Sequence, residues 1–299
     1  MYLAAVPLIF MLSILSCRWA VMLGKLTGRM GYFLDRRHRL IALRNLEIAF
    51  PHMSSLERKD IALRCFENFG KTVFELPALR RAPVERILKR VTYEGWDHYA
   101  AASERQRGML LLTGHIGNWE LMALAHGLNG HRLHFVARPL DNKYMDRWIS
   151  RLRLRGGNHI ISKRGAFRGV YGALKRGGVV GLLMDQAVTG TDGVFVDFFG
   201  AKAGTSRAMA ILACHFDCPV LPVYIYRQRN DKDHRIVIGP PVPVAISGDK
   251  DRDVMENTRR FQQVLEGIIT RHPDQWFWIH RRWKKSPTFG KNQEGYPSR

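Results

Sequence analysis

Two hydrophobic periods divide the chain. Between about residues 35 and 107, apolar positions recur at helical spacing, as in RLIALRNLEIAF and SSLERKDIALRCFENFGKTVFEL. Ser54 or Ser55 is placed to cap the second of these helices, and Glu57 follows as the partner in a capping box. From residue 108 the pattern changes. Short apolar runs (GMLLLTG, RLHFVAR, GVVGLLMDQ, CPVLPVYIYR, RIVIG) are separated by the helix-like segments DNKYMDRWISRLRLR, AFRGVYGALKRG, TSRAMAILACHF and DVMENTRRFQQVLEGIIT. Strands alternating with helices predict an α/β domain whose central sheet is mostly parallel or mixed and is flanked by helices. The organisation expected is an N-terminal membrane-associated helix over 1–24, a helical part over 25–107 packed on the next domain, an α/β domain over 108–285 and a flexible tail over 286–299.

The first helix is expected from YLAAVPLIFMLSILSC, residues 2–17, which carries no charge. A spanning helix needs about 20 apolar residues, so the run is borderline, and a helix lying in the interface or a buried helix of the domain remain alternatives. No Lys or Arg precedes the run, which disfavours a secretory signal. Arg18, Lys25, Arg29, Arg36, Arg37, Arg39 and Arg44 follow it, and the positive-inside bias would keep what comes after in the cytoplasm.

Composition narrows the partners. Lys and Arg outnumber Asp and Glu by 47 to 26, a formal charge of +21, so a polyanion is expected: nucleic acid, an anionic membrane face, a phosphorylated substrate or an acidic carrier protein. No zinc-finger, basic-zipper or RNA-recognition signature accompanies the charge, and nucleic acid is not the expected partner. The four cysteines at 17, 65, 214 and 218 form no C-x-x-C pair, which suggests neither a disulfide framework nor a zinc ribbon. Cys214, His215 and Cys218 lack evident further ligands, and no metal or cofactor is expected.

Candidate chemistry concentrates in GMLLLTGHIGNWEL, residues 108–121, where a histidine stands between glycines and a carboxylate follows five residues later. At about 100° per residue, His115 and Glu120 cannot be neighbours on one helix. Across a strand-to-helix turn they can be. LLLT is the strand, Gly114 to Gly117 the turn, Asn118 the N-cap, and Glu120 lies in the first helical turn. Such a turn at the carboxyl end of a strand is where α/β sheets place their sites. An imidazole oriented by a carboxylate takes a proton from a hydroxyl. No G-x-S-x-G elbow supplies a serine nucleophile and no H-E-x-x-H supplies a metal site, so direct attack by a substrate hydroxyl on an acyl carbon is the expected reaction. The plain alternative is a loop histidine beside a surface glutamate.

TGHIGNWELMA resembles the H-x-x-x-x-(D/E) block of the lysophospholipid acyltransferase superfamily, and in particular the late lipid A acyltransferases. Further blocks extend the resemblance over most of the chain: RRHRLIALRNLEIAFP, ARPLDNKYMDRWI, LLMDQ, VDFFGAKAGTSRAMAILA and FWIHRRWK. The resemblance implies His115 as general base with Glu120 as its partner, and substrate binding or support by Arg138 and Asp185, with Asn118, Gln186 and Thr205 as further candidates. Arg138 could instead be a surface ion pair, Asp185 a strand-end turn residue and Thr205 a helix cap. It further implies acyl transfer, without a cofactor, from acyl-acyl carrier protein or acyl-CoA to a lipid A precursor at the cytoplasmic side of a bacterial inner membrane. A sister branch acylates phosphatidylinositol mannosides, so a related glycolipid is the alternative acceptor. WFWIHRRWK would suit a water-membrane interface, or else be a core helix end with solvated arginines.

Overall fold

The computed structural model describes residues 16–289 and Tyr296. Three helices precede the sheet: α1 (Cys17–Leu34), α2 (Arg36–Ala49) and α3 (Ser55–Arg81). Ser54 and Glu57 close the expected capping box at the start of α3, with the Glu57 carboxylate accepting from the Ser54 N–H at 2.7 Å. The short α4 (Val84–Leu88) then leads to β1 (Val91–Glu94) and α5 (Trp96–Ser103).

Alternation follows as expected through β2 (Met109–Thr113), α6 (Trp119–Leu128), β3 (Leu133–Ala137), α7 (Lys143–Leu154), β4 (His159–Ser162), α8 (Ala166–Lys175) and β5 (Val179–Leu183). A hairpin of β6 (Gly193–Phe198) and β7 (Ala201–Ser206) precedes α9 (Ala208–Phe216), β8 (Val220–Arg227), β9 (His234–Ile238) and α10 (Lys250–Arg271). Seven strands form one mixed sheet in the order β1-β9-β8-β2-β5-β3-β4. β8, β2, β5, β3 and β4 run parallel to one another, β1 runs parallel to β9, and in this sheet the β8–β9 pairing is antiparallel.

β2 lies in the middle and is buried along its whole length. Its side chains alternate between two cores: Leu110 and Leu112 pack with residues of α8, α9 and α10, whereas Met109 and Leu111 pack with residues of α5, α6 and α7. Both faces of the sheet are thus covered, as parallel strands require.

The structure differs from the sequence reading in several places. β1, β4 and the hairpin carry polar residues in short strands, VTYE, HIIS and GVFVDF with AKAGTS, and their apolar signal is weak. Thr205 and Ser206, expected to open a helix, end β7 instead. WFWIHRRWK is neither a helix end nor a membrane belt: Trp276, Trp278, Trp283 and Arg282 are all at most 1% exposed and fill the core beneath the hairpin.

At the N-terminus, residues 1–15 of the expected membrane helix lie outside the described residues. Among the described residues, α1 runs on through residue 24, and no helix is long and apolar enough to cross a membrane. α1 packs backbone to backbone on α3, since a Cβ on Gly70 would stand 2.1 Å from the Gly24 carbonyl oxygen.

Candidate active site

The turn after β2 is shaped by close approach. Gly117 has φ +56°, and a Cβ there would lie 2.2 Å from the Ile225 carbonyl oxygen on β8. A Cβ on Gly114 would meet the Asp185 carboxylate at 3.0 Å. The turn is also tied to the segment after α10: Phe277 N–H donates to the His115 carbonyl and Gly117 N–H to the Gln275 carbonyl, each at 3.0 Å. Asn118 is the N-cap that the sequence predicts, its Oδ1 accepting from Leu121 N–H at 3.0 Å, and Glu120 stands in the first turn of α6.

β5 brings the carboxylate. In the parallel pairing of β2 with β5, Thr113 stands opposite Leu183, so His115 and Asp185 each lie just past the end of adjacent strands. Asp185 Oδ1 faces His115 Nδ1 at 2.9 Å, and Oδ2 accepts from the His115 backbone N–H at 2.6 Å and from Trp276 Nε1 at 2.8 Å. The Asp185 side chain is fully buried, while that of His115 keeps 15% of its surface exposed. With Nδ1 given to the carboxylate, the neutral ring carries its proton there and leaves Nε2 unprotonated. Gln186 Nε2 is 3.5 Å from that atom. Trp119 and Phe277 flank the imidazole edge-on and tilted, with ring centroids 5.0 and 6.1 Å away.

Electrostatics follow from this arrangement. Burial works against a charged His115, but the charge and hydrogen bond of Asp185, with a further contribution from Glu120, raise its pKa above the ordinary imidazole value. Burial likewise opposes ionisation of Asp185, yet His115 and the hydrogen bonds hold its carboxyl well below the usual range. Two groups whose pKa values are driven apart in a turn at the sheet's carboxyl edge mark an acid-base site.

Glu120 stands in the first turn of α6 as expected, but its hydrogen-bond partner is not the expected His115. The structure sets it on Arg153 of α7 in a fork, with Nη2 to Oε1 at 2.5 Å and Nε to Oε2 at 3.0 Å. The Arg153 guanidinium takes both of its oxygens. Asp185, expected to bind substrate or to support the site, occupies the place beside His115, and its fully buried side chain has no surface to offer a ligand. Thr205 is also buried; its hydroxyl donates to the Ala203 carbonyl and accepts from Arg282 Nη2 at 2.7 Å. The same guanidinium donates to Gln262, whose amide holds the Met184 carbonyl next to Asp185. Asn118 is buried, its Nδ2 donating to Glu75 at 3.1 Å, so it shapes the turn rather than meeting a substrate. Gln186 is exposed beside the ring, and Arg138 is exposed at the end of β3, paired with Asp141 at 3.0 Å.

Behind the turn lies a charged cluster that the sequence did not reveal. Glu75 of α3, buried, accepts from Arg227 at 2.5 and 3.1 Å, from Arg90 at 3.0 Å and from Asn118. Burial opposes its ionisation, but Arg227 and the further partners hold its carboxyl far below the ordinary value. Its members come from α3, the approach to β1, the end of β8 and the turn, so spacing along the chain gives no hint of them. Arg153, Trp276 and His280, whose ring stands 2.9 Å from the Asp185 carbonyl oxygen, were hidden in the same way. Among the described residues, no group of His, Cys, Asp and Glu side chains could hold a metal ion.

A buried carboxylate on one ring nitrogen defines an acid-base site, and the comparisons give the class of enzyme that carries it. Residues 2–285 match the family described as bacterial lipid A biosynthesis acyltransferase, and the chain belongs to that family. It is 31% identical to the lipid A biosynthesis lauroyltransferase of Escherichia coli (strain K12), over 93% of this chain and 86% of that one. It is 28% identical to the lipid A biosynthesis palmitoleoyltransferase of the same strain, over 89% of this chain and 85% of the relative. A more distant relative is the phosphatidylinositol mannoside acyltransferase of Mycolicibacterium smegmatis (strain ATCC 700084 / mc(2)155), at 23% identity over 74% and 71% of the two chains. The protein is an acyltransferase.

Proposed function

We propose that the protein transfers a fatty acyl chain from acyl-acyl carrier protein to a hydroxyl of a lipid A precursor, at the cytoplasmic face of a bacterial inner membrane. The observation that carries this reading is the bonding of His115: Asp185 holds Nδ1 at 2.9 Å, which leaves Nε2, beside the exposed Gln186, as the nitrogen able to take a proton. The acceptor hydroxyl gives its proton to Nε2 as its oxygen attacks the thioester carbon. The imidazolium so formed is stabilised by the buried Asp185 charge. Collapse of the tetrahedral intermediate breaks the carbon–sulfur bond, and the departing thiolate takes the proton back from Nε2.

Glu120 serves this cycle at one remove. Its charge favours the protonated ring, while its fork on Arg153 fixes a guanidinium at the rim of the site. Arg138 and Gln186 are the exposed members that remain to meet the substrates, Arg138 by forked bonds to an anionic group of the acceptor or donor. The family membership and the lipid A names of the relatives support the acceptor, and the excess of basic residues suits both an acidic carrier and a phosphorylated glycolipid.

Lipid mass spectrometry of a deletion strain tests the reading: one acyl chain is lost from lipid A, and the His115→Ala protein, whose turnover falls by the roughly 10²-fold to 10⁴-fold typical of a lost general base, fails to restore it. Loss from a mannosylated lipid, or from neither, overturns the acceptor assignment. A folded His115→Ala protein with nearly full activity overturns the mechanism.

A further inference from the structure

We propose that α1 is an interfacial helix, lying in the plane of an anionic bilayer with Trp19, Met22, Leu26, Met30, Phe33 and Leu34 seated between headgroups and acyl chains; this deepens the membrane part of the function proposed above and rests on it. These six side chains are exposed by between 49% (Met22) and 78% (Leu34), although each is large and apolar. At helical spacing they fall within an arc of about 120° and extend over about 22 Å of helix. A continuous apolar row of that size on a protein surface marks a site of contact with something apolar.

The other side of α1 fixes the row where it is. Ala20, Val21, Gly24 and Tyr32 are buried, and Gly24 and Gly28 touch the α3 backbone so closely that a Cβ on Gly28 would lie 2.2 Å from the Phe66 carbonyl oxygen. Any rotation of α1 that hid the row would drive a side chain into α3.

Charge identifies the occupant. Residues 17–34 contain no Asp or Glu, whereas Arg18, Lys25 and Arg29 line one edge of the row, and the exposed Arg36 and Arg37 follow its end. Lys25 and Arg29 stand 4.0 and 3.7 Å from the Glu67 carboxylate, which holds their cationic ends at that edge. Cations on one edge and, past the single Asp35, Arg36 and Arg37 at the end leave the surroundings of the stripe with an excess of positive charge, which complements an anionic lipid surface.

The position relative to the site gives this contact a use. Cys17 Sγ lies 3.8 Å from Glu75, which holds Asn118 of the turn, while Phe69 of α3 packs on Phe277, which flanks His115. One helix therefore separates the proposed lipid-facing row from the histidine, and an acceptor carried in the bilayer needs only a short lift to reach it.

The test uses the full chain and vesicles of equimolar phosphatidylglycerol and phosphatidylcholine. Leu26→Glu combined with Met30→Glu should lower the vesicle partition coefficient by on the order of tenfold or more. Ile246→Glu combined with Met255→Glu, at apolar residues exposed elsewhere, should leave it within about twofold. Brominated lipid should quench the wild-type tryptophan emission more than that of Trp19→Phe. Equal partitioning of the α1 double variant, or no quenching difference, overturns the inference. So does a change from dimer to monomer with partitioning unchanged, which would assign the row to a second copy. Turnover on acceptor dispersed in detergent micelles reports on the enzymatic reading separately: the α1 variant active there, yet bound to vesicles as wild type is, refutes the interfacial helix alone.

Discussion

Asp185→Asn separates the site seen in the structure from the pairing that the sequence suggests. The substitution keeps the shape of the side chain but removes the charge that faces His115 Nδ1 at 2.9 Å. Because Asp185 is fully buried and His115 nearly so, little solvent screens the pair. With charge centres about 4 Å apart and an effective dielectric near 20, the imidazolium loses roughly 4 kcal/mol of stabilisation. At about 1.4 kcal/mol per power of ten, acyl transfer should slow by about 10³-fold.

The pH profile moves as well. Turnover requires the neutral ring, so the rate rises with pH through the His115 pKa, which Asp185 now holds above the ordinary value. In Asp185→Asn that rise shifts to lower pH, while Glu120→Gln, whose charge is the smaller contributor, shifts it less. The assay is single-turnover transfer from acyl-acyl carrier protein across the pH range, with circular dichroism to confirm the fold. An Asp185→Asn protein within tenfold of wild type, with its rise at the wild-type pH, would refute the assignment of Asp185 as orienter.

Other substitutions probe the surroundings. Asn118→Ala removes both the cap of α6 and a hydrogen bond to Glu75, and should cost about 1–2 kcal/mol in urea unfolding. Glu75→Gln leaves Arg227 and Arg90 facing no anion in the interior and should cost roughly 3–5 kcal/mol, read as the unfolding midpoint. The depressed Glu75 carboxyl favours the folded state above its unfolded pKa, so wild-type stability should fall in acid as the pH drops toward its folded value, and this acid sensitivity should weaken in Glu75→Gln. Arg138→Lys keeps the charge but loses the fork of an exposed guanidinium; it should raise the KM for acceptor or donor without moving the thermal midpoint, and unchanged turnover at limiting substrate removes Arg138 from the site.

The opening stretch of the domain was half legible. Periodicity placed β2, the turn, the Asn118 cap and the first turn of α6 where the structure has them, because each depends on residues within one helical turn of its neighbours. The carboxylate beside His115 depends on something else. Strand order is set by how faces pack across the whole sheet, and β2 pairs with β5 and β8 rather than with β3, the next strand in the chain. Nothing local in GHIGNWEL announces that Leu183, seventy positions from Thr113, will stand opposite it.

The same reasoning explains where both carboxylates stand. A carboxylate five residues downstream sits on the first turn of α6, and α7 supplies Arg153 to meet it. A carboxylate just beyond the paired end of an adjacent parallel strand is carried toward the histidine, and Trp276 and the His115 N–H fix its second oxygen. LLMDQ carried a usable signal all the same: an acid immediately after a run apolar enough for an inner strand sits at the carboxyl edge, where a turn histidine also sits. In a parallel sheet, two such chain exits on adjacent strands are within contact range, about 4.8 Å apart across the pairing. Pairing candidate residues by strand exit rather than by distance along the chain would have placed Asp185 beside His115 and left Glu120 for the helix that crosses in front of it.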